Sequence, residues 1–314
     1  MKKPLNLKKI LIVSFLIPVI AVISIGAYSL YQLNKIKIVK ITQDNSKLGI
    51  STETTPGNTN TKIETPVITN ILLFGDDRRN TDENGRSDSI MVLSLNDRDK
   101  KLKLVSIMRD TYVSVEGYGK TKLNHAFSYG GAELAIKTVN QNFLLDIKNY
   151  LKVDFSGLEK IVDAMGGVEI EIKAYELPAM KSVGVLKAGI FNLNGKQALE
   201  YSRIRYYGNN DFERTERQRT VIIKLLEKIN LEGPSQFPSV LSNFLPYIET
   251  SLDKTEILNM GLKVMSFGLE NIEQTRIPYD KHYTDVFGSV YYLDWEKDYT
   301  INELHNFIWG NKTP

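Results

Sequence analysis

Three runs of β-branched and aliphatic residues, Val67 to Phe74, Ser89 to Leu95 and Leu102 to Met108, are bounded by polar turns and predict strands. The last two are separated by Asn96-Asp97-Arg98-Asp99-Lys100-Lys101, which suits a hairpin loop. Further along, the period lengthens to that of helices at Ala132 to Leu144, at Gly157 to Met165 and most clearly at Phe212 to Ile229. In the last of these, Val221, Ile222, Leu225, Leu226 and Ile229 fall on one broad face. Helices are also expected over Gln236–Thr250, Lys254–Phe267 and Thr300–Trp309. No internal repeat is visible, and the alternation of strands and helices predicts an α/β or α+β sandwich, a central mixed sheet flanked by helices.

The N-terminus follows a different pattern. Lys2, Lys3, Lys8 and Lys9 precede an uncharged run from Ile10 to Leu33. Roughly 20 apolar residues cross a bilayer core, and a cleavable signal has an apolar region of only about 7–15, so residues 10–33 are expected to form a retained transmembrane helix behind a short tail, 1–9. Lys35, Lys37 and Lys40 follow the span, so basic residues alone do not orient it. From Thr42 to Pro66 the chain is rich in Thr, Asn, Ser, Gly and Pro and has little to bury. Such a segment cannot offset its ordering entropy, so 34–66 is expected to be a flexible linker and 67–314 the folded domain.

Composition narrows the chemistry. The chain has 314 residues, 42% of them hydrophobic, enough for a sizeable core. A net charge of +3 is too small for bulk nucleic-acid binding, and the arginines of 203–219 are balanced by Asp211, Glu213 and Glu216. With no cysteine there is no disulfide, thiolate metal site, cysteine nucleophile or lipidated cysteine. His125, His282 and His305 lack metal-site spacing, and there is no Gly-x-Ser-x-Gly. Gly119-Lys120-Thr121 resembles the end of a P-loop, but the first glycine of that motif would fall at Ser114.

What remains are arginines and aspartates in three clusters: Gly85-Arg86-Ser87-Asp88, Met108-Arg109-Asp110, and Arg203-Ile204-Arg205 followed by Asp211-Phe212-Glu213-Arg214-Thr215-Glu216-Arg217-Gln218. A guanidinium presents a fork of donors that suits phosphate oxygens two at a time, and paired carboxylates suit a divalent cation with oxygen ligands. Each cluster alone reads as a solvated face. Arg86, Arg109, Arg203 and Arg205 each sit at the edge of an apolar run, however, and four arginines together need an anion or acidic partner between them. The clusters therefore read as a site for a magnesium-bridged pyrophosphate. Asp76 or Asp77 follows the first strand and Asp88 precedes the second, so neighbouring strands would bring two carboxylates to one sheet edge. On the helix from Phe212, Arg214 and Gln218 share a face, while Arg217 and Arg219 point elsewhere and are expected to be solvated. Arg203 and Arg205 alternate as on a strand, which places both on one side. Lys122 is a further phosphate contact, and His125 an orienting residue of its loop. An unfilled carboxylate pair is a liability, so Asp88→Asn is expected to leave thermal stability nearly unchanged.

Over roughly Ile71 to Ile229 the chain resembles the LytR-CpsA-Psr family of bacterial cell envelopes. The motifs, in that family's order, are Ile71-Leu72-Leu73-Phe74-Gly75-Asp76-Asp77-Arg78-Arg79, Gly85-Arg86-Ser87-Asp88-Ser89-Ile90-Met91, Ser106-Ile107-Met108-Arg109-Asp110-Thr111-Tyr112-Val113, Lys122-Leu123-Asn124-His125-Ala126-Phe127-Ser128-Tyr129-Gly130-Gly131, Val162-Asp163-Ala164-Met165-Gly166-Gly167-Val168 and Leu193-Asn194-Gly195-Lys196-Gln197-Ala198-Leu199. Met108 stands where the family usually has proline. The resemblance implies a single-pass membrane protein with a cytoplasmic tail, 1–9, and an extracytoplasmic domain that transfers an anionic glycopolymer from a polyprenyl-pyrophosphate carrier to peptidoglycan. By register with the family's Gly-x-Asp-x-Arg it implies Asp77 as a ligand of Mg²⁺ or Mn²⁺ beside Asp88, with Arg79 as companion and Asp76 in reserve; the acceptor hydroxyl needs a base, and Asp77 or Asp110, whichever carboxylate near the metal is least committed, is expected to serve. Arg86, Arg109, Arg203, Arg205, Arg214 and Gln218 would contact the head group, with Asp110 and Lys122 beside them. Part of the core near Val139, Phe143, Leu158, Ile161 and Val162 would open as a tunnel for the polyprenyl chain. A pyrophosphate hydrolase or a non-catalytic polymer-binding module would use many of the same residues.

Overall fold

The computed structural model describes residues 33–51, 68–76, 87–205, 210–233, 242, 244–267 and 272–310. Its centre is the three strands legible in the sequence: β2, Ile68–Asp76; β3, Ser87–Asn96; and β4, Lys101–Ile107. They form an antiparallel meander, and β3 and β4 are joined by the expected hairpin turn. Short β1, Lys37–Ile38, occupies one edge of the sheet. Three further strands, β7 (Asn149–Asp154), β10 (Ile248–Thr250) and β11 (Glu273–Ile277), complete a mixed seven-stranded sheet in the order β1-β10-β7-β2-β3-β4-β11.

Side chains of a strand alternate between the two faces of its sheet, and here both faces are apolar. Leu72, Phe74, Ile90, Val92, Val105 and Ile107 face helix α1 (Leu123–Phe143) and helix α7 (Lys297–Trp309), packing with Ile136, Val139, Phe143, Leu304 and Ile308. Ile71, Met91, Leu93, Leu95, Leu102 and Leu104 face helix α5 (Asn210–Glu232) and helix α6 (Lys254–Ser266), packing with Ile222, Ile223, Leu226, Val264 and Phe267. A satellite core is built on α2 (Phe155–Ala164), the hairpin of β8 (Val168–Ile172) and β9 (Gly189–Leu193), and α4 (Gly195–Arg203), with short α3 (Leu177–Met180) beside them. Ile161 and Val162 are buried there. Two other hairpins lie outside the main sheet: β5 (Tyr112–Val115) with β6 (Gly119–Lys122), and β12 (Tyr283–Val286) with β13 (Tyr292–Trp295).

The sequence pattern misplaced some boundaries for local reasons. Helix α1 starts at Leu123, nine residues before the start of its clean periodicity, because the backbone breaks at Gly130 and Gly131, and Gly131 takes a φ of 66° that favours glycine. Of the helix expected over 236–250, residues 236–241 and 243 lie outside the described residues and Ser242 and Phe244 are helical, but its end is a 3-10 turn, Leu245–Tyr247, and strand β10. Pro246 cannot continue a helical ladder, and Ile248–Thr250 is captured between β1 and β7.

The expected linker over 34–66 is also corrected in its first half. β1 pairs with β10, Ile36 and Leu48 are buried, and Asn140 donates through Nδ2 to the carbonyl of Leu48 at 2.8 Å. These apolar positions are too sparse to show a period, yet each fills a place in the domain. The remainder of that segment, 52–66, the expected tail, 1–9, and residues 10–32 of the expected anchor lie outside the described residues; among those described, no helix is long and apolar enough to cross a membrane. Leu48→Ala is expected to destabilise the domain by about 2–5 kcal/mol. Denaturant unfolding of the two proteins checks this, and equal midpoints would mean that 33–51 is only a tether.

Candidate functional site

The sheet register builds the site. Asp76 pairs with Ser87 across β2 and β3, and Met91 pairs with Ser106 across β3 and β4. Continuing the second register three residues past the end of the ladder puts position 109 opposite position 88. Arg109 Nη1 donates to Asp88 Oδ1 at 2.5 Å. The chain then turns: the Asn124 amide donates to the Arg109 carbonyl at 3.1 Å, and the Lys122 ammonium reaches Asp110 Oδ1 at 2.6 Å.

The first turns of α5 approach this sheet end. Asp211 Oδ2 lies 3.2 Å from Arg109 Nε and 3.1 Å from Arg214 Nη2, and Asp211 Oδ1 lies 3.8 Å from Arg205 Nε. Arg205 Nη2 is also 3.7 Å from Asp88 Oδ2. Three guanidiniums, Arg109, Arg205 and Arg214, are thus gathered around two carboxylates, Asp88 and Asp211. Asp110 also faces Arg109, 3.4 Å from its Nε, but is already held by Lys122.

Burial makes this arrangement costly without an anion. Arg214 is only 2% exposed, and its pKa falls to about 10. Burial is the first cause and repulsion from Arg109 the second, against which Asp211 is insufficient. Arg109 has the opposite balance: burial disfavours its charge, but Asp88, Asp211 and Asp110 together outweigh burial and raise its pKa. Burial would likewise raise that of Asp88, but Arg109 above all holds it below the usual value. Among the described residues, Arg214 Nε, Gln218 Oε1 and Ser87 Oγ are buried without a hydrogen-bond partner, and Arg109 Nε, although 3.2 Å from Asp211 Oδ2, is not aligned to donate to it. Arg214 and Gln218 lie one turn apart on α5, so their orphaned atoms follow one face of the helix, as their spacing predicted.

Several expectations are revised. Arg203 and Arg205 do not share a side of a strand: Arg203 ends α4 and lays its guanidinium 4.9 Å from the Phe155 ring centre, while Arg205, beyond buried Ile204, turns to the aspartates. Arg217 and Arg219 are not solvated. Arg217 Nε donates to buried Glu176 at 2.6 Å, and its Nη1 donates to the Ile204 carbonyl at 3.2 Å. Arg219 bonds Gln274 and Ser106, both at 2.8 Å, and pins α5 to β11 and β4. Asp88 is not idle either, since it holds Arg109. His125 stands in the first turn of α1, with Nδ1 2.7 Å from Thr121 Oγ1 of β6. Asp77, Arg79 and Arg86 lie outside the described residues. The residue that the sequence reading passed over is Asp211, taken there only as charge balance; its i,i+3 spacing to Arg214 was the available signal.

The model of the LytR_cpsA_psr family matches residues 30–305. The chain belongs to that family. A family relative, "Regulatory protein MsrR" of Staphylococcus aureus (strain COL), is 36% identical over 220 residues, 69% of this chain and 66% of that protein. The match therefore spans just under two thirds of that relative's length. "Polyisoprenyl-teichoic acid--peptidoglycan teichoic acid transferase TagU" of Bacillus cereus (strain ATCC 14579) is 32% identical over 282 residues, 88% of this chain and 89% of that protein. The LytR-CPS2A-psr family protein YwtF (TagT) of Bacillus subtilis, solved with bound octaprenyl pyrophosphate lipid, superposes with a TM-score of 0.65 at 22% identity, covering 86% of this chain and 99% of that one. That likeness establishes the shared fold.

Two opposite stability effects are expected in the LytR_cpsA_psr domain. Asp88→Asn should lower the melting temperature at neutral pH, because a carboxylate with a depressed native pKa stabilises above its unfolded value of 3.8. As pH falls through the lower native value that contribution is lost, so the melting curves of parent and variant should converge; a constant gap down to pH 2 would refute the pairing. Arg214→Met should raise the melting temperature of the anion-free protein, because it removes the charge that the site supports least. A lowered melting temperature would show that Asp211 fully compensates it.

Proposed function

We propose that this protein is a membrane-anchored, extracytoplasmic phosphotransferase that moves an anionic glycopolymer from a polyprenyl-pyrophosphate carrier onto a peptidoglycan hydroxyl. The observation that carries the reading is the set of three guanidiniums around Asp88 and Asp211, with Arg214 Nε and Gln218 Oε1 buried and unsatisfied. A pyrophosphate would meet the need of Arg214 Nε, since its oxygens accept from guanidinium forks; Gln218 Oε1 is itself an acceptor and would be met by a donor such as a hydroxyl. The family membership and the name of the Bacillus cereus relative agree with it.

In this reading the acceptor hydroxyl attacks the phosphorus that carries the glycopolymer. A new P–O bond forms, the P–O–P bridge breaks, the polyprenyl monophosphate leaves, and the hydroxyl proton passes to a carboxylate. Arg109, Arg205 and Arg214 stabilise the charge that develops on the phosphoryl oxygens and the leaving phosphate, so catalysis is mainly positioning and electrostatics. Asp110 is engaged by Lys122 and Arg109, which favours Asp77 as the proton acceptor.

A divalent cation suits the donor set. Among the described residues no three carboxylate or imidazole groups are arranged to hold a metal alone. Among the described residues, however, Asp88 Oδ2 has only the 3.7 Å contact with Arg205, and Mg²⁺ takes few protein ligands when phosphate and water supply the rest. Asp88 would hold Mg²⁺, or Mn²⁺ in its place, together with Asp77; the ion, when bound, would supply further charge neutralisation at the phosphate oxygens.

The test is to incubate the protein with a lipid-pyrophosphate oligosaccharide, Mg²⁺ and peptidoglycan fragments and to look for covalent transfer. Arg205→Ala and Arg214→Ala should each lower catalytic efficiency by at least about tenfold, the effect of losing one charge-assisted phosphate contact. Arg203→Ala should cost less than Arg205→Ala, and Lys224→Ala, on an exposed part of α5, should be neutral. Release of free oligosaccharide phosphate without transfer would make the protein a hydrolase, and tight donor binding without turnover or metal dependence a holding module.

A further inference from the structure

The hairpin of β12 and β13 plays no part in the chemistry above, yet it is fastened to the segment that carries it. The Leu293 amide donates to the Asp110 carbonyl at 2.9 Å, and Trp295 Nε1 donates to the Tyr112 carbonyl at 2.8 Å. Its rings reach both flanks of the arginine cluster. Tyr283 packs on Phe212, the neighbour of Asp211, with ring centres 5.0 Å apart. Tyr291 lies under the Lys122 ammonium, 5.6 Å from its ring centre, and Lys122 is the partner of Asp110. At the tip, Phe287 is 82% exposed and packs against Tyr291 at 5.4 Å.

The wall is not purely apolar. The Tyr291 hydroxyl donates to Asp285 Oδ1 at 2.6 Å, and Asp285 is exposed beside the rings. An exposed ring with a carboxylate at its edge is poorly suited to a hydrocarbon chain, since closing lipid over Asp285 would strip the carboxylate of water. It suits a pyranose, which offers C–H groups to a ring face and hydroxyls to an acceptor at the rim. Resting on the transferase reading above, we infer that the β12–β13 hairpin is the acceptor subsite: Phe287 and Tyr291 stack on a sugar ring of the acceptor glycan, and Asp285 takes a hydrogen bond from its hydroxyl. The hairpin places that sugar beside Asp110 and the arginine cluster, on a strand pair tied directly to the loop of Arg109.

The test uses the full chain in detergent, with glycan-strand oligosaccharides from peptidoglycan, freed of peptide, as the probe. Phe287→Ala should weaken oligosaccharide binding in the absence of donor by about tenfold, about 1.4 kcal/mol. In the transfer assay it should raise the acceptor KM by a similar factor with kcat and donor KM unchanged, and Phe287→Trp should restore both. Tyr291→Phe keeps the ring and loses the tie to Asp285, so it should weaken binding less. An unchanged dissociation constant in Phe287→Ala overturns the subsite even where transfer by the parent is intact. Lost binding in Phe287→Ala beside a parent that transfers nothing supports the glycan subsite and sinks only the transferase reading. With Phe287→Trp reconstituted into phosphatidylglycerol vesicles, quenching by brominated acyl chains would identify the tip as a membrane wedge and overturn the inference.

Discussion

The contact between Arg109 and Asp88 organises everything around it. It closes the open end of the β3–β4 ladder with side chains where the backbone has stopped pairing, and it sets one ionised carboxylate at the sheet edge. Asp211, Arg205 and Arg214 then gather about that pair from helix and loop. A buried cluster with more guanidiniums than free carboxylates is unstable by itself, and two other buried arginines hold it in shape. Arg217, through Glu176 and the Ile204 carbonyl, fixes the segment that presents Arg205, while Arg219 fixes α5 against the sheet. Four arginines of one short stretch thus divide in two: Arg205 and Arg214 face the aspartates, and Arg217 and Arg219 position the backbone that carries them.

That division explains what the sequence could and could not convey. The pairing of positions 88 and 109 was within reach, because two apolar runs joined by a short polar loop imply an antiparallel register. The shared face of Arg214 and Gln218 followed from helical spacing alone. The errors at Arg217 and Arg219 have one cause: a charged residue on a helix reads as solvated when the partner that buries it is remote in sequence. Arg217 reaches Glu176 as well as Glu213 one turn away, and Arg219 reaches Ser106 and Gln274. Arg203 was read by alternation with Arg205, but one residue past a helix end the chain turns, and alternation no longer reports direction.

The edges of the fold were harder to read than its middle. Each central strand has apolar residues on both faces, so length and β-branching sufficed to identify it. β1 and β10 are two and three residues long and exist as strands only because a neighbour offers unpaired backbone groups. Such elements carry no period of their own.

The edge strand β1 also changes how the chain is mounted. Lys37 and Ile38 are paired with β10, and Leu48 is sealed in the core, before the chain reaches the Thr- and Asn-rich stretch. Ser51 and Ile68, on either side of that stretch, therefore both stand on one folded body. An anchor ending at Leu33 would meet the sheet within a few residues and hold the domain close to the bilayer like a bracket, limiting how far it could swing. A protease that cut between Ser51 and Ile68 would leave the N-terminal piece strand-paired to the rest: a nicked protein still in place, with no free domain released.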